Sequence, residues 1–349
     1  MRLGKPTADV MTETIFRFRG RESRKIIVRP QLGVDVSVVD IGRGRVMIAS
    51  CDPISFIPSL GPKESARMSV NEVASDVATS GIAPSFAMFD LNLPPELSNS
   101  LLRVYWRSIH QTCKDLGLSI VGGHTGRFEG CGYSVIGGAT VWTTARKNEF
   151  LTSSMARDSD DLIFTKSAAY AATSVLTRAF PRTVRKYLGQ SLFERAWKYL
   201  RGANTVNDSL SAVKVGMHQR GVTAIHDVTE GGSLAAMVEM VEASHLGGII
   251  DVESIPISEE TLRICKLFHL DPLTSLGEGS LLIASRPNRT RRVIDALQSR
   301  GTNATVIGQL SSKSRSLFGV SRQGRFKIRH PERDPYWNAY WRALRKGWS

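Results

Sequence analysis

The stretch from Met68 to Pro84, MSVNEVASDVATSGIAP, constrains the fold more than any other. Val70, Val73, Ala74, Val77 and Ala78 recur at the spacing of one apolar helix face, which predicts a helix with that face in a core. Asn71, Glu72, Ser75, Asp76 and Thr79 fall on the other face. Glu72 and Asp76 are four residues apart, so their carboxylates are neighbours and repel. A cation between them, or simple exposure to solvent, would relieve that. Gly81 suits the position just past a helix end. A second stretch, His226 to Ser233, reads HDVTEGGS, with a strand over 221–225 before it and an amphipathic helix after it. His226, Asp227, Thr229 and Glu230 are predicted on the turn. Gly231 and Gly232 open the helix, where backbone N–H groups can meet an anion. The two stretches read as two walls of one site.

A chain of 349 residues can hold two domains with full cores. No apolar run approaches the roughly 18 residues that cross a bilayer. The opening MRLGKPTADV lacks the apolar core of a signal peptide. Cys51, Cys113, Cys131 and Cys265 are scattered, with no CxxC pair, and read as reduced core or near-site thiols of a cytoplasmic protein. Cys51 is expected to be small and buried. The net charge of +14 raises nucleic-acid binding as a possibility. The basic residues are spread out, however, and no dense patch carries a nucleic-acid motif. A cationic surface that attracts phosphorylated ligands is the favoured reading.

Along the chain, 25–29, 34–41 and 45–50 are short, β-branched strands separated by Pro30 and by Gly42-Arg43-Gly44. Asp35 stands at the start of one strand and Asp52 at the end of another. Leu97 to Leu116 is a helix stopped by Gly117. Strand 118–121 runs into the turn Gly122-Gly123-His124-Thr125, and 133–142 is a further strand. The first half is therefore α+β, with helices on one face of a sheet. Polar residues 144–159 mark the boundary between an N-terminal domain, 1–148, and a C-terminal domain, 155–349. The second half alternates again. Strands are expected at 161–165, 249–252, 280–284 and 304–310. Helices are expected at 168–179, 192–200, 206–217, 234–245, 259–267 and 289–300. Glu278 lies at a strand end and reads as structural. The aromatic tail, with Tyr336, Trp337, Tyr340, Trp341 and Trp348, is expected to pack on its own domain.

There is no P-loop, no GxGxxG opening a helix after a strand, no HExxH and no serine elbow. The chemistry-bearing residues are instead Asp35, Asp52, Asp76 and Asp227, with glycine-rich turns. Carboxylates so placed suit Mg²⁺, which keeps waters and bridges to phosphate oxygens.

Five segments in order complete the pattern. They are Gly33-Val34-Asp35, Cys51-Asp52-Pro53-Ile54, Ser75 to Gly81, Gly122 to Thr125, and His226 to Gly232. In these the chain resembles the superfamily of aminoimidazole ribonucleotide (AIR) synthetase, selenophosphate synthetase, thiamine-monophosphate kinase and the hydrogenase maturation factor HypE, with HypE-like proteins nearest. The resemblance implies a two-domain α+β fold with an N-terminal mixed sheet, an ATP- and Mg²⁺-binding cleft and a homodimer formed through the N-terminal sheets. A maturation-protein partner is the further implication. By the same resemblance Asp35, Asp52, Asp76 and Asp227 hold metal and phosphates. Asn71 and the segment Gly122, Gly123, His124 and Thr125 lie near the triphosphate. Gly4-Lys5 corresponds to a phosphate-covering segment, and His226 and Glu230 are the candidate catalytic groups. The implied reaction activates a carbonyl- or carboxamide-type oxygen by phosphoryl transfer from ATP. Alternatives are a kinase of a small phosphorylated metabolite and an ATP-binding assembly protein without catalysis.

The sequence departs from the family pattern in three places. HypE ends in a cysteine, whereas this sequence ends Arg345-Lys346-Gly347-Trp348-Ser349. His124 replaces an aspartate often found in that segment and is a poor Mg²⁺ ligand. No cysteine precedes Cys51, which disfavours selenophosphate synthesis.

Overall fold

The structure is a computed structural model and describes residues 4–349. Two mixed sheets, each with its own helices, make up the body. The first has the order β1-β2-β3-β6-β4-β5. Its strands are β1 (Ile26–Val28), β2 (Ser37–Gly42), β3 (Arg45–Ser55), β4 (Phe86–Leu93), β5 (Ser119–Arg127) and β6 (Val135–Arg146). All neighbours are antiparallel except β4 and β5, which run parallel. The second has the order β13-β12-β9-β11-β7-β10-β8. Its strands are β7 (Asp161–Thr165), β8 (Val222–Asp227), β9 (Gly247–Asp251), β10 (Leu281–Ser285), β11 (Ala304–Ser311), β12 (Leu317–Ser321) and β13 (Gly324–Lys327). The hairpin β12–β13 is not foreseen from the sequence, because Gly319 and the charged β13 blur its alternation.

Helices Gly61–Thr79 and Asn99–Leu116 lie together on one face of the first sheet. Alternate residues of β4 (Ala87, Phe89, Leu91, Leu93) point into that layer. The second helix is capped as expected: the Ser98 side chain accepts from Leu101 N, and Gly117 takes the left-handed conformation at φ 75°. The first helix begins earlier than the periodicity implied, at Gly61-Pro62, and Gly81 follows its end at φ 75°. Its polar side is not turned to water. The helix Val206–Ala212 and β8 of the second half pack against it. Asn71, Ser75, Asp76 and Thr79 are buried. Of the two ways to relieve the Glu72–Asp76 repulsion, solvent exposure is thereby excluded for Asp76.

Several boundaries move. β3 runs through Asp52 to Ser55, so Asp52 sits within a strand. Gly122 to Thr125 lie within β5, an exposed edge strand, and form no turn. His226 and Asp227 are the last two residues of β8, and the turn begins after them. Cys51 is exposed, because odd positions at this end of β3 face away from the helices. A helix at Pro181–Leu188 joins the expected set. The aromatic tail forms helix Pro335–Arg345, whose Tyr336, Trp337 and Tyr340 pack with Phe180, Phe268 and Trp348 in a core of the second half. Among the described residues no helix is long and apolar enough to cross a membrane.

Candidate active site

Carboxylates from both halves converge where β3, the Gly61–Thr79 helix and the end of β8 meet. β3 supplies Asp52 and Ser50. The helix supplies Glu72 and Asp76, and the Ser50 hydroxyl donates to Asp76 Oδ2 at 2.6 Å. The loop before β2 supplies Asp35, and β8 supplies His226 and Asp227. Asp35, His226 and Asp227 place ligand atoms within 4.8 Å of one another.

His226 is the hub. Its Nδ1 lies 2.6 Å from Asp35 Oδ1, a charge contact too bent for a well-aligned hydrogen bond. Its Nε2 meets Glu239 Oε2 at 2.9 Å. Burial opposes the imidazolium, but Asp35 and Glu239 outweigh it and raise the histidine pKa well above its ordinary value. Desolvation would raise Glu239; hydrogen bonds from His226 and His330 overcome it and hold Glu239 well below the usual carboxylate range. With Nε2 bonded to Glu239 and Nδ1 against Asp35, His226 orients these carboxylates and offsets their charge.

Four further acids, Asp76, Asp227, Glu72 and Glu278, carry the opposite signature. Burial first, then Asp227 and Asp52, raise Asp76 well above its ordinary value. Asp227 is pushed up to about 7 by burial and by Asp35, with His226 and Lys5 pulling the other way. Glu72 is pushed up to about 7 by burial and by Asp52 and Asp227. Glu278 also rises well above its ordinary value through burial and Glu72, and its Oε2 is buried without a partner. Glu72 beside Asp76 is legible from the helix spacing and Glu278 reads as structural, while Glu239 and Asp334 carry no local signal that joins them to the site. Glu278 and Asp334 lie 51 and more residues beyond Asp227 along the chain, and only the tertiary fold brings them in.

Lys5 reaches this cluster. Its Nζ is 3.3 Å from Thr229 Oγ1, and its backbone N–H donates to Glu230 Oε2 at 3.1 Å. Desolvation works against its charge, but Glu239, Asp227, Asp76 and Asp35 together raise its pKa above the ordinary lysine value. Glu230 thus anchors the N-terminal segment in this structure.

The glycines after β8 do something other than expected. The Gly231 N–H, at φ 84° and the N-cap of helix Gly232–Ala243, already donates to Asp334 Oδ2 at 2.8 Å. A Cβ on Gly232 would sit 2.7 to 2.8 Å from backbone atoms of Leu273 and Ser275. These glycines serve close packing, and a carboxylate of the chain itself takes the anion position at this helix end.

Gly122 to Thr125 lie further off. Asp52 pairs with Ala139, Ala139 with Phe89, and Phe89 with Gly123. Gly123 is therefore three strands from Asp52, about 14 Å at ordinary strand spacing. A Cβ on Gly123 would collide with the Phe89 carbonyl, which explains the glycine there. His124 stacks on Phe128. Asn71 is buried on the Gly61–Thr79 helix, five residues before Asp76.

Two α+β halves meeting at one cluster of buried carboxylates define a class, and the comparisons with known proteins agree with it. The family described as AIR synthase related protein matches with its N-terminal domain at residues 33–144 and its C-terminal domain at 203–319. The chain belongs to this AIR synthase-related superfamily. A Methanocaldococcus jannaschii protein, provisionally named as a hydrogenase expression/formation protein, is 25% identical over 77% of each chain. Carbamoyl dehydratase HypE of Bradyrhizobium diazoefficiens is 24% identical, over 79% of this chain and 78% of its own. Among solved structures, Escherichia coli HypE superposes with a TM-score of 0.70 at 22% identity, covering 83% of this chain and 87% of its own. A HypE structure in complex with ATP gives 0.66 at 16% identity, covering 96% and 97%. At these identities the structures establish the shared two-domain fold, and the superfamily is one of ATP-using enzymes.

Proposed function

We propose that this chain binds Mg²⁺-ATP in the acidic cleft and transfers a phosphoryl group to a carbonyl- or carboxamide-type oxygen, in the manner of HypE and in the setting of hydrogenase maturation. The observation that carries the reading is the clustering of Asp35, Asp52, Asp76 and Asp227 from both halves. Oxygen donors are what Mg²⁺ takes. Asp35 Oδ2 is buried with no partner, and Asp76 and Asp227 have raised pKa values, as expected of carboxylates gathered without their counter-charge. These four aspartates would hold Mg²⁺, which when bound neutralises charge on the transferring phosphoryl. The similarity to carbamoyl dehydratase HypE and to the HypE structure in complex with ATP supports the reading.

In this reading the acceptor oxygen forms a bond to the γ-phosphorus, the bond from that phosphorus to the β,γ-bridging oxygen breaks, and ADP leaves with the electron pair. Lys5 is placed to meet phosphate charge. His226 holds Asp35 and Asp227 in register, and Glu230 keeps the Lys5 segment closed over the cleft. Glu278 and Glu72, buried with raised pKa values, supply carboxyl groups able to hold a proton beside the acceptor. Asn71, on the same helix as Asp76, would lie near the triphosphate in this reading, whereas Gly122 to Thr125 are separated from Asp52 by the buried Ala139 and Phe89 and would meet a nucleotide only at the open edge of the sheet.

The reading includes a homodimer. The face of the first sheet away from its helices exposes Phe86, Met88, Val121 and Val135, an apolar surface that a second N-terminal sheet would cover. A kinase of a small phosphorylated metabolite is the second reading, favoured by the net charge of +14. Screening ADP release against carboxamides and phosphorylated metabolites tests both. Acceptor-dependent ADP release identifies the class, and none with any acceptor contradicts catalysis.

A further inference from the structure

The match to the AIR synthase-related family ends at residue 319. The segment that follows returns to the carboxylate cluster and is held there at two points, Glu239 and Gly231. His330 Nε2 meets Glu239 Oε1 at 3.3 Å, while the other oxygen of the same carboxylate holds His226. The His330 ring is fixed from behind, Nδ1 lying 2.9 Å from the Pro331 carbonyl. Four residues on, Asp334 accepts from Gly231 N at 2.8 Å through Oδ2 and from Tyr336 N at 2.8 Å through Oδ1. Asp334 therefore ties the turn after Asp227 to the start of the tail helix.

Glu239 is also the point where the first half seats. A Cβ on Gly33 would fall 2.5 Å from the Glu239 carbonyl oxygen, so the chain just before Asp35 lies directly on this turn of helix. Two partners thus converge on Asp35: the Glu239 backbone beneath Gly33, and the Glu239 carboxylate through His226.

We propose that residues 330–334 form a positioning clamp for the site. His330 and Asp334 are positioning residues. His330 fixes the Glu239 carboxylate that orients His226 toward Asp35. Asp334 fixes the Gly231 amide and with it the turn carrying Thr229 and Glu230, the partners of Lys5. Neither residue touches the reacting groups. The clamp rests on the Mg²⁺-ATP reading only for the consequence it has on metal affinity; the effect on His226 is independent of it.

The test compares wild type, His330→Ala, His330→Gln and Asp334→Asn in two measurements. The first is the Mg²⁺ concentration at half-saturation for ATP binding, read by calorimetry beside the unfolding temperature. His330 is exposed enough for removal to leave the fold intact, at 46% side-chain exposure. His330→Ala is expected to raise half-saturation about 10-fold, the low end of the effect of losing an outer partner of a metal site. The unfolding temperature should be nearly unchanged, and His330→Gln, whose amide can still donate to Glu239, should recover most of the loss. The second measurement is the imidazole ¹⁵N–¹H resonance of His226 in metal-free protein, expected to shift in His330→Ala and to return toward wild type in His330→Gln. An unmoved half-saturation in both His330→Ala and Asp334→Asn, or an unmoved His226 resonance in His330→Ala, overturns the clamp. Should wild type bind no Mg²⁺-ATP, the functional reading fails and the resonance alone decides: a shift upholds the clamp and no shift overturns it.

Discussion

Asp35, from the loop before β2, and His226, from β8 at the edge of the second sheet, meet at 2.6 Å across the junction of the two halves. Both side chains are almost fully buried, and Glu239 closes the far side of the imidazole at 2.9 Å. Removing the shared cation leaves two buried carboxylates without a counter-charge, a change that costs about 3–5 kcal/mol when a buried pair is broken. His226→Ala should therefore lower stability by roughly that amount in urea unfolding. A loss below about 1 kcal/mol would mean the contact contributes no more than a surface pair.

The same site sets a pH dependence. Asp227 and Glu72 are pushed up to about 7 and Asp334 to about 6, burial being the first cause in each case. Unfolded carboxyls titrate near 4. Between about pH 4 and 7 the folded chain keeps protons that the unfolded chain has released, so stability falls as pH rises through that window. His226 and His330 are raised, so their contribution is complete below the ordinary histidine value and is lost as pH rises through their folded values, the same direction. Glu239 is lowered; its contribution is present above the ordinary glutamate value and is lost only in stronger acid. The metal-free unfolding temperature should fall from pH 5 to pH 8, and Mg²⁺ added at pH 8 should restore it. A flat or rising profile over that range contradicts the raised carboxyls.

Gly33 offers a geometric test. Its φ is +70°, and a Cβ there meets Glu239 backbone as well as the left-handed strain. Gly33→Ala should cost about 1–3 kcal/mol in stability and should weaken Mg²⁺-ATP binding by displacing Asp35. Stability loss with unaltered binding would show that Asp35 does not depend on this seat.

The apolar outer face of the first sheet predicts association. Met88 is 44% exposed at its centre, beside Phe86 on the same strand. Sedimentation should give a dimer for wild type and a monomer for Met88→Lys, with the circular dichroism unchanged. A monomeric wild type would remove the dimer from the account.

Much of this architecture is legible in the sequence, for physical reasons that also mark where legibility stops. The helix from Asn99 to Leu116 carries its own start and stop in Ser98 and Gly117, so local chemistry decides its ends. The four aspartates stand out because they sit at expected strand ends, on an expected turn and on the polar side of an amphipathic pattern. What periodicity cannot report is how a polar face is covered. For Glu72 and Asp76 it leaves a cation or solvent as alternatives, because nothing local shows the Val206–Ala212 helix and β8 packed upon that face. Gly122-Gly123 read as a turn because glycine pairs usually are; here Gly123 is glycine because the Phe89 backbone crowds it in a parallel edge strand. Gly231-Gly232 read as an anion site, yet the anion is Asp334, more than a hundred residues away in sequence. Glu239 and His330 carry no motif, and only the fold places them on either side of one carboxylate.

Calorimetric titration of Mg²⁺-ATP into wild type and Asp76→Asn bears on the carboxylate site without an acceptor substrate. Asp76 is held by Ser50 beside Asp52 and Asp227, and its neutral isostere keeps the shape while removing one charge from the cluster. Asp76→Asn should be at least as stable as wild type without metal, because it relieves carboxylate repulsion. Saturable wild-type binding in the micromolar range, about −8 kcal/mol, is expected, weakened at least 10-fold in the variant. Absent binding in folded wild type, or equal affinity in the two proteins, would contradict a metal–nucleotide site at these carboxylates.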